Sequence, residues 1–460
     1  MKIIPYNTSS EQDTITSIKS FFTKYSVGNA LKKANAYKQK GYSALSIMQY
    51  AVQLVYTQQS MYRDSRNGDS SVIGNSSDTV YRFMRNAYIN WSVFIVCVAS
   101  KICTWLNSLT SEARLAALVL DDTLYNRPFS KKLELSARLF DHTDKRYKRG
   151  FRSLFLGWTD GATFIPTAFR HMSSADKKQR YNEPRPTDNR TCGAKAKKQA
   201  VMKAPDVALL MLRDAKKHGI PAKYVLFDSW FTHPTFVMDI YEIGYHSIGR
   251  LKNSKTLYSH DGYTHTLKEL YDMHKKRPGK SKYLLSITVR IHNRNGDSMM
   301  SRIVFVRDRA NKKKWIAFLC TDMDLSEEQI IELYGKRWSI EVFFKTCKTY
   351  LGFTGEFQQI SYEAITAHTA IVTLRFMVLA IEQRYNTDMR RTPGDLFFMF
   401  ADEAKDIKFN EVIAVLICEL TKFICELTML DEKTVIKLMD DLFQTLPAHM
   451  KRFAKTQKAS

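Results

Sequence analysis

LAALVLDDT (residues 115–123) and KYVLFDSWF (residues 223–231) decide how this chain folds. Each contains a short apolar run that stops at an acid: Asp121 and Asp122 in the first, Asp228 in the second. Runs of this length without alternation suit strands buried on both faces, as in a parallel sheet covered by helices. Between them the pattern changes twice. FRSLFLGW (151–158) and TFIPTAFRH (163–171) flank Thr159-Asp160-Gly161-Ala162, a hairpin signature. Pro205 and Asp206 then open a helix that runs to Lys217 and stops at His218-Gly219.

Strand, hairpin, helix and strand, with acids closing the first and last strands, is the order expected of a ribonuclease-H-like core. The chain is therefore read as α/β, a ribonuclease-H-like catalytic core with a β-rich insertion plus helical N-terminal and C-terminal regions. The expected divisions are a helical DNA-binding domain (1–112), the first part of the core (113–235), the insertion (236–325), the second part of the core (326–385) and a C-terminal helical region suited to dimerisation (386–460). In the first region Leu45–Tyr62 is apolar-periodic, and a polar loop, RDSRNGDSSVIGNSS, precedes a helix bearing Tyr81, Arg82, Arg85 and Asn86. That order fits a helix-turn-helix reader of DNA and equally an ordinary helical bundle. The insertion, with YHSIGRLK, YLLSITVRIHN, SRIVFVRDR and WIAFLCTD, reads as an inserted sheet, with Asn295-Gly296 turning one hairpin. Residues 172–203, rich in Lys and Arg, read as a mobile loop near phosphate.

Charge narrows the function. The 460 residues hold 70 Lys and Arg against 46 Asp and Glu, a formal charge of +24, which points to a polyanionic partner and most simply to nucleic acid. A hydrophobic share of 44% excludes a mere basic coat. Seven scattered cysteines without a CxxC pair give neither a zinc ribbon nor a disulfide framework. The eleven histidines lack an HExxH motif and no Gly-rich phosphate loop occurs, so a zinc hydrolase and ATP dependence are not expected. MKIIPYNTSSEQD has no apolar signal region, and Lys101, Arg375 and Lys422 interrupt the most apolar stretches, so no membrane span is expected. The expected setting is the cytoplasm, on the bacterial nucleoid when bound to DNA.

YGKRWSIEVFFKTCK (334–348) lies in a helix expected from Ser326 to Tyr350, capped by Ser326 with Glu327 and Glu328 in its first turn. At about 100° per residue, Tyr334, Arg337, Glu341 and Lys348 share a stripe roughly 60° wide and about 21 Å long. Such a stripe suits a nucleic-acid backbone. Phosphodiester cleavage by two divalent ions needs carboxylates gathered from separate elements. Asp121 or its neighbour Asp122, Asp228 and Glu341 are the acids this context singles out. Strand alternation lets only one of Asp121 and Asp122 face a given side.

The pattern Y-x2-R-x3-E-x6-K, with VLDDT and VLFDSWF upstream, resembles the bacterial insertion-sequence DDE transposases, and more narrowly their branch with the Tyr-Arg-Glu-Lys signature. The resemblance covers about residues 115–385. It implies Asp121, Asp228 and Glu341 as catalytic ligands of two Mg²⁺ or Mn²⁺ ions, with Asp122 the alternative first acid. The family's Asp-x-Thr favours Asp121, which precedes Thr123 by two. Tyr334, Arg337 and Lys348 would hold the DNA end, and Trp230 or Trp338 would assist a flipped base. Lys345, near the same face, reads equally as a phosphate contact or a solvated lysine. The implied activity is cut-and-paste transposition: cleavage at terminal inverted repeats and transfer of the 3′-OH to target DNA, by a homodimer on paired ends. The rivals are a non-catalytic DNA-binding protein that kept the fold, and a ribonuclease-H-like nuclease without strand transfer.

Overall fold

A computed structural model describes residues 14–402 apart from 39, 59–60, 62–76, 110–113, 142–143, 279–280, 309–310, 312–313, 356–358 and 386–391, together with a few residues between 420 and 441. The polar loop of the expected helix-turn-helix and most of the expected C-terminal helical region lie outside the described residues.

The acid-tipped runs are strands, as their composition requires. β1 (Ala117–Asn126), β2 (Ala137–Asp141), β3 (Arg146–Thr159) and β4 (Phe164–Met172) come first. β1 pairs antiparallel with β3 along its whole length. β3 shares its other edge between β2, opposite its charged start, and β4, opposite its buried end. The turn into β4 is the expected one: Gly161 has φ 92°, and the buried Asp160 carboxylate accepts from Ala162 N (2.9 Å) and Thr163 N (2.8 Å). Ala204–Lys217 is the Pro-initiated helix, stopped where Gly219 takes φ 68°. It feeds β5 (Tyr224–Phe227), which runs parallel to β1, and β5 is parallel in turn to β6 (His246–Leu251). This mixed α/β arrangement is compatible with a ribonuclease-H-like fold.

The later strands show where the β-rich segments attach. β7 (Leu257–His260), β8 (Tyr263–Thr266), β9 (Leu285–His292), β10 (Ser298–Arg307) and β11 (Trp315–Cys320) do not build a sheet of their own. They continue the core sheet from β6, giving eleven strands in the order β2-β3-β1-β5-β6-β11-β10-β9-β7-β8, with β4 on β3. Pairing between distant segments is not written in local periodicity, so the strands were legible and their neighbours were not.

Helices cover the sheet, and those of the N-terminal region are α1 (Thr14–Lys24), α2 (Val27–Lys33), α3 (Ala44–Gln53), α4 (Ser77–Met84) and α5 (Trp91–Ser108). α5 packs both on β4 and on α2. Tyr362–Tyr385 is apolar on every side and correspondingly central, touching α3, α4, α5 and β4. This helix and α5 are long and apolar enough to cross a membrane, contrary to the expectation drawn from Lys101 and Arg375, but 94% of the longer helix's most apolar window is buried inside the protein. Arg375 stays within it by donating to Ala51 O, Val52 O (3.3 Å) and Leu351 O (3.0 Å), two of them carbonyls at the C-terminal end of α3.

The 172–203 segment is also more ordered than its charge suggests. Thr191 caps a helix over Cys192–Ala200, and Lys197 on it is only 7% exposed, 2.6 Å from both Glu134 Oε1 and Glu363 Oε1. Glu134 also accepts from Arg185 N (2.6 Å) and Tyr362 N (2.9 Å), joining three segments at one buried carboxylate. Replacing Lys197 by Met strands two buried carboxylates and should cost about 3–5 kcal/mol. The unfolding midpoint in denaturant reads this directly; a shift no larger than that of an exposed ion pair would overturn the assignment.

Candidate active site

The parallel register puts the two acids side by side. Asp228 stands just past the end of β5 and Asp121 inside β1, which runs on to Asn126 along β3 rather than stopping at its acids as expected. Leu120 of β1 pairs with Phe227 of β5, and Phe227 with Gly249 of β6. One residue further along stand Asp121, Asp228 and Arg250, and Arg250 pairs with Phe318 of β11. A row of acid, acid, cation and aromatic thus crosses four strands about 4.8 Å apart. Gly249 permits the close packing behind it: a Cβ there would come within 2.5 Å of the Phe227 ring and 2.6 Å of Thr232 Oγ1. Thr232 Oγ1 and Phe231 N both donate to Asp228 O, at 3.1 and 3.0 Å, folding the chain back as β5 ends.

The third acid arrives on a helix that is not the straight one expected. Ser326 and Gln329 form the capping box of a helix over Glu327–Gly335, but the helix pauses and resumes over Trp338–Thr349. Between them Arg337 N bonds Tyr334 O (3.0 Å) and Ile340 N bonds Arg337 O (3.2 Å), the tighter i to i+3 pattern. Lys336 Nζ donates to Leu115 O (2.6 Å), drawing the break onto the start of β1. The stripe is therefore bent. Tyr334 leans on Phe318, ring centroids 4.3 Å apart, whereas Lys348 at the far end is exposed.

Arg337 is the centre of the cluster. Its Nη1 donates to Asp121 Oδ2 at 2.6 Å, and Nη1 and Nη2 both approach Glu341 Oε1 at 3.4 Å. Burial would lower its pKa, yet Tyr334, Asp121, Glu341 and Asp228 outweigh burial and raise it. Burial pushes Asp121 up to about 7, against the pull of Arg337 and of the Asp122 N–H, with Glu341 and Asp122 adding to the rise. Tyr334 is pushed up to about 12, chiefly by burial, with Asp228 among the charges that add to it. Although the Lys348 residue is exposed as a whole, partial shielding of its ammonium lowers its pKa, opposed by Asp141 and Glu341.

Asp122 goes elsewhere. It projects to the other side of β1 and pairs with Arg152 Nη1 at 2.9 Å, while Arg152 Nη2 reaches Phe140 O. The structure thus brings together Asp121, Asp228, Glu341, Arg337 and Tyr334. Trp230 and Trp338 flank them in sequence and are exposed (59% and 67%), and Lys345 is exposed too. Arg82 and Arg85 engage Asp78 (2.9 Å) and Gln359 (2.7 Å) instead of the acids. Arg250 was not foreseen, although it is the one exposed position within the buried strand HSIGRL. Oxygen-only donors around one guanidinium fit a hard divalent ion in chemistry. As placed, they converge on Arg337, and no group of three or more His, Cys, Asp or Glu side chains among the described residues is already gathered to hold a metal.

A family model described as DDE superfamily endonuclease matches residues 51–284, just over half of the chain. The matched stretch contains Asp121 and Asp228 and ends before Glu341. No curated protein matches the chain.

Because Arg337 lowers the pKa of Asp121, Arg337→Gln should move that pKa above about 7 in the metal-free protein, as read by carboxyl-carbon NMR. The linkage has a definite sign. An acid raised from 3.8 to about 7 contributes stability that is complete below 3.8 and lost as pH climbs through 7. Asp121→Asn should flatten that fall in unfolding free energy, and an unchanged slope would refute the assignment.

Proposed function

We propose, from the premise that the chain belongs to the DDE superfamily endonucleases, that it is a DNA transposase of the Tyr-Arg-Glu-Lys branch. It would bind the terminal inverted repeats of its element, cleave the phosphodiester at each end, and join the freed 3′-OH to target DNA. The observation that carries the reading is Arg337's grip on both Asp121 and Glu341, beside the rung that bears Asp228. DDE superfamily enzymes generally use divalent metal ions. Two Mg²⁺ or Mn²⁺ ions, held by Asp121, Asp228 and Glu341, would stabilise charge on the attacking and leaving oxygens.

The chain's own residues do the rest. Asp121 is the first acid in preference to Asp122, whose carboxylate is committed to Arg152 on the opposite side. Arg337, Tyr334 and Lys348 hold phosphates of the DNA end, with Arg250 and Lys345 extending that surface. Arg337 matches paired phosphate oxygens with its planar fork, as a lysine would not. Trp230 and Trp338, both exposed, would stack on a displaced base. A homodimer would handle the two ends together, on the nucleoid in the cytoplasm.

Purified protein with Mg²⁺ or Mn²⁺ should nick a terminal-repeat duplex. Asp228→Ala and Asp121→Ala should lower nicking more than about 100-fold while duplex binding persists; Asp122→Asn should nick like the parent. If Asp228→Ala cleaves as well as the parent, the proposal fails. Cleavage without joined products would instead identify a nuclease that lacks strand transfer. Lys348→Ala should weaken binding evenly across sequences and reduce the slope of log affinity against log salt by about 1.

A further inference from the structure

Far along the sheet from the acids, two imidazoles meet. His260 closes β7, and His274 follows the helix Leu267–Met273; their Nε2 atoms stand 3.1 Å apart. The other nitrogen of each ring is already committed. His260 Nδ1 is 2.9 Å from Thr288 O, and His274 Nδ1 is 3.0 Å from Leu270 O. A carbonyl oxygen only accepts, so both Nδ1 atoms carry the proton. In the neutral rings the two Nε2 lone pairs therefore face each other, an arrangement that repels unless a cation lies between them. Asp261 adds a carboxylate oxygen 3.3 Å from His260 Nε2.

We propose that His260 and His274 form a two-imidazole site for a borderline divalent transition ion of the zinc class, separate from the acid cluster. Two nitrogens bound to zinc at a tetrahedral angle lie about 3.3–3.4 Å apart, so the rings need move only a few tenths of an ångström. Each Nδ1–H on a backbone carbonyl fixes the tautomer and ring direction that a histidine ligand requires. Nitrogen donors select zinc, cobalt, nickel or copper over magnesium. The backbone holds both rings still. Asp261 (φ 49°) and Gly262 (φ 81°) make the tight two-residue turn after His260, and the Thr266–Glu269 capping box starts the helix before His274. Both histidines are partly exposed, leaving room for water to complete the sphere. The bound ion ties the β7–β8 hairpin to the helix end, where β7 meets β9 at only one pair, Ser259 with Arg290. The site does not depend on the transposase reading.

The test is a titration of the full chain with Zn²⁺ and Co²⁺ in excess Mg²⁺, which occupies the carboxylates and leaves the imidazoles free. About one ion per chain should bind, with Co²⁺ developing the strong visible absorption of a four-coordinate nitrogen-bound ion. His274→Gln and His260→Gln should each weaken binding at least about 10-fold. His265→Gln and Asp228→Ala should not. The variants are compared by circular dichroism, so that a misfolded one is replaced by its partner. No uptake in Mg²⁺, or uptake unchanged in both histidine variants, overturns the site and leaves a shared proton as what joins the rings.

Discussion

Parallel pairing of β1 with β5 forces two carboxylates onto neighbouring rungs of a sheet, and the surrounding structure answers that constraint. Like charges this close in a partly buried row repel, and burial adds to the penalty. Arg337 supplies the opposing charge from a helix break, and Arg250 on β6 stands next to the acids in the row. Tyr334 on Phe318 and Lys336 on Leu115 O fix the chain at the break just ahead of the arginine. A straight helix would carry the same residues but would not turn Tyr334 into the sheet while leaving Lys348 outside.

The remaining supports act through the apolar helix Tyr362–Tyr385. At its start, Glu134 accepts from Tyr362 N and shares Lys197 with Glu363. Midway, Arg375 spans from the end of α3 to Leu351, just behind the helix that carries Glu341. Buried ion groups of this kind add little net stability compared with apolar packing, but losing one partner is costly. They fix which segments meet. The N-terminal helices are thereby tied to the element that presents the third acid, although the two are far apart in sequence.

How much of this was legible depended on whether the deciding interaction was local. Asp228 at the end of β5, the hairpin at Asp160-Gly161, the Pro205 helix start and the Ser326 cap all follow from residues a few positions apart, and each was readable. The continuation of β1 past Asp121 to Asn126, held by distant β3, was not. The break at Lys336 and Arg337 was not, because neither Pro nor a turn motif marks it and a contact with Leu115, more than two hundred residues away, helps to hold it. Lys197 looked like one more cation in a charged loop, since its two glutamates come from other segments. Alternation could say that Asp121 and Asp122 face opposite ways; only the position of Arg152 and Arg337 says which way. The sheet's continuation past β6 was hidden for the same reason.

The distance between Arg337 and Asp121 along the chain, 216 residues, also has a meaning in time. A chain synthesised from its N-terminus presents both acids before the arginine that balances them. At about 5–20 residues per second, the interval from Asp228 to Arg337 is roughly 5–20 s. Through it the acidic row lacks its counter-charge and the third carboxylate does not yet exist. The cluster can therefore assemble only once nearly three-quarters of the chain has been made, which makes its formation a late event in folding rather than a seed for it.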